Sequence, residues 1–210
     1  MATNNQLYSE PEILERIFDH IDNKTTDLGN TVWKEPVENY FSQERFESEI
    51  ALLRRLPIVF CLSAMLPDRG SYIARKAAGT PLLVVRGDNG KVRAFINACR
   101  HRGMQVATGN GCARSFVCPY HAWTYNLEGE LTAIYANKDF GDLDKSCHSL
   151  TALPCLERAG LIWVTLNQNS TLPIETFLSG YDDLLAEFGF ETWHHFKSQA
   201  VQGPNWKIAY

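Results

Sequence analysis

Asn97-Ala98-Cys99-Arg100-His101-Arg102-Gly103 and Cys118-Pro119-Tyr120-His121-Ala122-Trp123 are the two stretches on which the reading of this chain turns. Sixteen residues separate His101 from Cys118, so a Cys-x-His pair and a Cys-x-x-His pair fall on two short loops. Each loop offers one thiolate and one imidazole. In one class of [2Fe-2S] centre, histidines replace two of the four cysteines and both sit on the same iron. The spacing suits that chemistry, with Cys99 and Cys118 on one iron and His101 and His121 on the other. Gly103, Gly109, Gly111 and Pro119 are expected to bring backbone N–H groups close to the sulfides.

A Cys₂His₂ zinc site uses the same donors around one ion. Its usual order is Cys-Cys followed by His-His with a wider second gap, whereas cysteine and histidine alternate here and the first gap is one residue. Other candidates are weaker. Glu191 lies three residues before His194-His195, but no second Glu-x-x-His exists to make a carboxylate-bridged di-iron site. Cys147-His148 reads as loop and packing, and Asp182-Asp183 as a solvated helix face. The remaining cysteines, Cys61, Cys112, Cys147 and Cys155, form no ligand pattern and read as reduced, small apolar residues.

Outward from the two loops, short β-branched and aromatic runs alternate with turn signals: 71–75, 81–86, 91–96, 115–118, 123–126 and 131–134. Asp88-Asn89-Gly90 and Glu128-Gly129-Glu130 mark hairpins. Gly160 to Leu166 reads as a further buried strand, and Leu172 to Phe188 as a surface helix. Upstream, Ser9-Glu10-Pro11-Glu12 has the form of a capping box opening a helix near residues 10–21, and Phe46, Ile50 and Leu53 mark a second helix over 42–55. Gly203-Pro204 breaks any regular element in the last segment.

The bulk properties bound the function. The 210 residues are 45% hydrophobic, enough for a sizeable core. Twenty basic against 24 acidic residues, net charge −4, without a long basic run, leave no footprint for nucleic acid or an anionic membrane. No stretch reaches the ~18 apolar residues of a membrane helix and the N-terminus lacks a secretory pattern, so the expected compartment is cytoplasmic.

The two loops resemble those of the large (α) subunit of Rieske non-haem iron ring-hydroxylating oxygenases. The resemblance extends upstream to Gly79-Thr80-Pro81 and Leu83-Val84-Val85-Arg86, and downstream to Gly160-Leu161-Ile162-Trp163-Val164 and Asn205-Trp206-Lys207. It departs at Ala122, where the family more often has glycine. It implies an α+β fold, a Rieske-type antiparallel β-sandwich core with flanking helices. The organisation expected is an N-terminal helical arm over 1–40, a Rieske [2Fe-2S] domain over 41–170, and over 171–210 a linker helix and strand with the start of a truncated catalytic domain. The resemblance further implies electron transfer from a reductase or ferredoxin to a mononuclear Fe(II) expected only in a full-length protein, with His121 at the exit. A homotrimer or an α/β hetero-oligomer goes with that reading. The rival is a stand-alone Rieske-type ferredoxin, which needs only the β core. The two N-terminal helices, the later helix and Asn205-Trp206-Lys207 favour the oxygenase.

Overall fold

In the sequence Leu82-Leu83-Val84-Val85 four aliphatic side chains follow one another without a polar break, and all four are fully buried. Successive strand residues point to opposite faces, so such a run needs a core on both sides. The computed structural model describes residues 8–208 and provides both cores. Two compact units result, one up to Tyr40 and one from Phe41 onward.

In the first unit α1 (Glu10–Asn23) starts where the sequence places it. The Glu12 carboxylate accepts from the Ser9 backbone N–H and hydroxyl, each at 2.7 Å, and Lys24 ends the helix in the left-handed region at φ 51°. Arg16 and His20 both bond Asp27 beyond it.

In the second unit α2 (Gln43–Arg55) is capped by Ser42, whose hydroxyl accepts from the Arg45 N–H at 3.2 Å. Eleven strands follow: β1 (Pro57–Leu62), β2 (Ser71–Ala77), β3 (Thr80–Arg86), β4 (Val92–Ile96), β5 (Gly109–Cys112), β6 (Phe116–Val117), β7 (Thr124–Tyr125), β8 (Leu131–Ala133), β9 (Ala152–Leu153), β10 (Cys155–Arg158) and β11 (Leu161–Thr165). They form three antiparallel sheets in the orders β1-β11-β10, β5-β2-β3-β4-β9 and β6-β7-β8. On one face of β3, Leu82 and Val84 join Phe60, Ile162 and Val164 of the first sheet. On the other, Leu83 and Val85 join Cys99, Cys118, Trp123 and Tyr125. Each such aliphatic side chain contributes about 1.5–3 kcal/mol on burial. The fold is therefore α+β, with a β-sandwich whose central sheet backs onto the two Cys/His loops.

The expected hairpins form. Asn89 Oδ1 accepts from the Lys91 N–H at 3.1 Å, and Asn126 Oδ1 accepts from the N–H groups of Glu128 and Glu130 at 3.1 and 2.8 Å. The bidentate Arg86–Glu157 pair, at 2.8 and 2.9 Å, ties β3 to β10. The Arg86 guanidinium holds the Glu157 carboxyl below its ordinary range. A carboxyl depressed in the folded state stabilises above its unfolded value of about 4.3 and loses that contribution as pH falls through the folded value. Arg86→Met is thus expected to cost about 1 kcal/mol at pH 7, solvent screening included. The difference from wild type should begin to shrink as pH falls below about 4.3 and vanish only once pH has passed below the depressed folded value, in urea titrations run across the acid range. A constant difference at all pH values contradicts the pairing.

Several expectations need correction. The single helix over 172–188 is two short ones, α3 (Ile174–Leu178) and α4 (Tyr181–Ala186), because Ser179 and Gly180 take positive φ values of 46° and 88°. Asp182 is not solvated: it is buried and accepts from Arg158 Nε at 2.5 Å, while Asp183 stays exposed. Gly109 and Gly111 lie in β5, where they pair with Ala74 and Tyr72 of β2. Cys61 is buried and Cys155 half-buried, but Cys112 and Cys147 are exposed, each with a weak hydrogen bond from its thiol. Asn205-Trp206-Lys207 is anchored on α2, where Lys207 Nζ donates to both Glu49 carboxylate oxygens at 2.9 and 3.1 Å.

Candidate metal centre

The first loop leaves β4 and turns at once: the Cys99 N–H bonds the Met104 carbonyl and the Gly103 N–H bonds the Cys99 carbonyl, both at 2.8 Å. The second links β6 to β7, with the Cys118 N–H on the Trp123 carbonyl at 2.8 Å and the Ala122 N–H on the Cys118 carbonyl at 2.9 Å. That turn puts Ala122 at φ 55°, a left-handed conformation that costs an alanine about 1–2 kcal/mol and explains a preference for glycine there.

The fold brings all four Cys/His residues together. Cys99 and Cys118 are both buried in one core cluster, and the His101 and His121 rings meet edge to face with centroids 4.7 Å apart. Burial pushes the Cys99 thiol up, and hydrogen bonds from the Tyr125 hydroxyl and the His101 backbone N–H oppose that rise, as donors to a thiolate do. Desolvation, then His121 and Arg102, keep His101 below its ordinary pKa, so its imidazole is neutral near pH 7.

The donor set fits a [2Fe-2S] cluster. His101 Nδ1 and His121 Nδ1 are buried and have no hydrogen-bond partner, an arrangement proteins avoid unless another group completes it. These nitrogens and the two sulfurs are the atoms that would hold the irons. Among the described residues, no three His, Cys, Asp or Glu side chains converge on a point as a single metal ion demands. Zinc would need four donors at about 2.0–2.3 Å from one centre, whereas a binuclear cluster is held by donors set wider apart.

Aromatic side chains dry the histidine side. The His101 ring stacks on Trp123, 5.1 Å between centroids at 10°, and meets Phe140 edge on at 5.5 Å. Tyr120 stacks on His121 at 3.8 Å, and Arg102 lies over Tyr120 at 5.9 Å. Beside His121 an open groove of about 600 Å³ is lined by Tyr120, Tyr135, Ala136, Asp139 and Phe140. His194 lies instead on a groove with Arg86 and Arg158, whose charges are already paired. His148 packs on Trp123, and its Nδ1 bonds the Asp144 carbonyl, so Cys147-His148 forms no ligand pair.

Sequence reasoning passed over Tyr125, which is fully buried on β7. Its hydroxyl accepts from the Arg100 N–H at 3.0 Å and lies 3.3 Å from Cys99 Sγ, which leaves its proton for the sulfur. Hydrogen bonds to cluster sulfurs raise the reduction potential. Tyr125→Phe is expected to lower it by roughly 50 mV, one charge-assisted bond of about 1–2 kcal/mol across a one-electron couple. An unchanged midpoint in a dye-mediated redox titration contradicts this role.

Fold and site together define a class, and residues 57–155 match the profile of the Rieske [2Fe-2S] domain. The chain carries a Rieske [2Fe-2S] domain over those residues, and its homologues are named as oxygenase subunits of mono- and dioxygenases. The glycine betaine monooxygenase oxygenase subunit of Chromohalobacter salexigens is 35% identical over 150 residues, 70% of this chain and 33% of that protein. A quaternary ammonium Rieske monooxygenase solved with L-carnitine superposes at a TM-score of 0.68 with 31% identity, covering 75% of this chain and 45% of the other. Naphthalene 1,2-dioxygenase from Rhodococcus sp. gives 0.67 and 29%, covering 82% and 38%. The chain thus spans a third to just under half the length of these relatives. They are oxygenase components and not stand-alone carriers, which favours the first of the two readings of the sequence. No helix among the described residues is long and apolar enough to cross a membrane.

Proposed function

We propose that this chain is the Rieske electron-transfer portion of a cytoplasmic non-haem iron oxygenase, with Cys99, His101, Cys118 and His121 as the ligands of its [2Fe-2S] cluster. The observation that carries the reading is the pair of unpartnered, buried Nδ1 atoms beside two buried thiols. When bound, the cluster supplies one-electron transfer at about −150 to +300 mV, and a mononuclear two-histidine, one-carboxylate iron in the whole protein supplies dioxygen activation.

The chain's own residues then have distinct tasks. Cys99 and Cys118 would hold one iron as thiolates in a dry core, while the imidazoles of His101 and His121 would hold the other without adding negative charge. Tyr125 and the His101 N–H neutralise part of the charge on the Cys99 sulfur. Trp123 and Phe140 cover part of the His101 ring, which is half-buried. His121, next to the open groove, is the exit side, and a ferredoxin or reductase is the donor.

Among the similar proteins, relatives named for glycine betaine and for carnitine reach 35% identity, against 32% for an anthranilate 1,2-dioxygenase and 29% for the naphthalene enzyme. That favours a quaternary ammonium compound, and a monooxygenase, over an aromatic ring and a dioxygenase. The test is donor-dependent oxygen uptake by the protein expressed with its reading frame left open beyond codon 210. Stimulation by glycine betaine or carnitine and not by naphthalene is the expected result. Stimulation by naphthalene alone overturns the substrate class, and a chain that accepts no electron from any donor overturns the function.

A further inference from the structure

We infer that Asn97 is a positioning residue for the first cluster loop, acting on Cys99 and His101 through the loop backbone. This rests on the reading of those residues as cluster ligands. Asn97 ends the run of β4, is buried at 3% exposure, and has its side chain turned across the base of the loop. Its Oδ1 accepts from the N–H groups of Val106 and Ala107 at 2.9 and 3.3 Å, and its Nδ2 donates to the Ala107 carbonyl at 2.8 Å. Its own N–H is on the Pro81 carbonyl of β3 at 2.9 Å.

One side chain therefore does what a neighbouring strand does elsewhere, fixing the far end of the loop nine and ten residues away. Two acceptor bonds and one donor bond from a single short group require a carboxamide. Val106 is buried, so no water replaces the bond to its N–H. Within the loop the Cys99 N–H on the Met104 carbonyl and the Gly103 N–H on the Cys99 carbonyl close the tip and do not reach Val106 or Ala107. The Tyr125 hydroxyl on the Arg100 N–H holds the side facing the second loop. With the base released, the tip pivots about that contact, and the stacking of His101 on Trp123 is lost from its fixed geometry. Groups that orient metal ligands in this way change affinity by about 10–100-fold when removed.

The test uses the full chain carrying its cluster, in wild type, Asn97→Ala, Asn97→Asp and Val164→Ala. Asp keeps both acceptors and loses only the donor. Val164, in the core on the opposite face of β3, serves as a control for plain destabilisation. The readouts are the electron paramagnetic resonance g values and line widths, visible circular dichroism, and the rate of cluster loss to a chelator well below the unfolding temperature. Asn97→Ala is expected to broaden and shift the spectrum and lose its cluster about tenfold faster, with Asp intermediate and Val164→Ala like wild type. If Asn97→Ala does not fold, Asn97→Ser, which keeps one acceptor, is read in the same way. Spectra and chelator rates equal to wild type in the Asn97 variants reduce the residue to a fold staple and overturn the inference. A wild-type chain without a histidine-ligated cluster signal overturns the site assignment instead.

Discussion

Serine at position 99 or 118 yields a chain that purifies without its brown colour and with iron and acid-labile sulfide reduced to background. The serine hydroxyl stays protonated in a core this dry and offers a hard oxygen where iron in such clusters takes thiolate sulfur. Ligation in small metal-binding domains carries about 10 kcal/mol or more of folding free energy, so the loss should also appear as a lower unfolding temperature. Cys112→Ser and Cys147→Ser are the matched controls, since both thiols are exposed and fall outside the two loops. They should retain full colour. A Cys99 or Cys118 variant with wild-type visible absorption contradicts the ligand assignment.

The second large effect is on stability alone. Gly70 sits at φ +80° at the entry to β2, donating to the Arg86 carbonyl at 2.8 Å and accepting from the Ala113 N–H at 2.9 Å. A Cβ there collides with the Ala113 carbonyl oxygen and comes within 3.2 Å of its carbon. Those are backbone atoms of a residue whose own N–H bonds the Gly70 carbonyl, so they cannot yield without disturbing the start of the β2–β5 pairing. Left-handed strain of about 1–2 kcal/mol and overpacking of about 1–3 kcal/mol together make Gly70→Ala cost about 2–5 kcal/mol. For a domain of this size that lowers the unfolding temperature by roughly 5–15 °C in a thermal melt. Gly90→Ala has a similar φ of +76° but open space around it, and should lose only the strain part. Equal melting temperatures for the two variants contradict the steric account.

What the sequence discloses depends on how local each signal is. The two Cys/His pairs are legible because each falls within four residues and the order of ligands excludes the usual zinc pattern. The strand β3 is legible because burial on both faces writes an unbroken aliphatic run. By contrast β5 is Gly-Asn-Gly-Cys with every residue exposed, and it is a strand only because β2 pairs with it. Asp182 looked like a solvated face because its partner Arg158 lies 24 residues away. The break at Ser179-Gly180 was visible as residues but hidden by apolar spacing that continues across it, with Ile174, Leu178 and Leu185 all packed on Leu161 and Trp163. Asn97 and Tyr125 act over 9 to 26 residues, and no pattern within either loop points to them. The family resemblance carried the α+β sandwich further than propensity did, because strands of two to four residues such as β6, β7 and β9 leave little periodicity to read.

The central claim is that Cys99, His101, Cys118 and His121 hold one histidine-ligated [2Fe-2S] cluster. The most direct test is electron paramagnetic resonance of the protein purified without oxygen and reduced with dithionite, with iron, sulfide and zinc measured on the same sample. The account predicts a rhombic signal with the low average g value of a cluster carrying histidine on one iron, and iron and sulfide in equal amounts. A colourless, signal-free protein that carries zinc contradicts it.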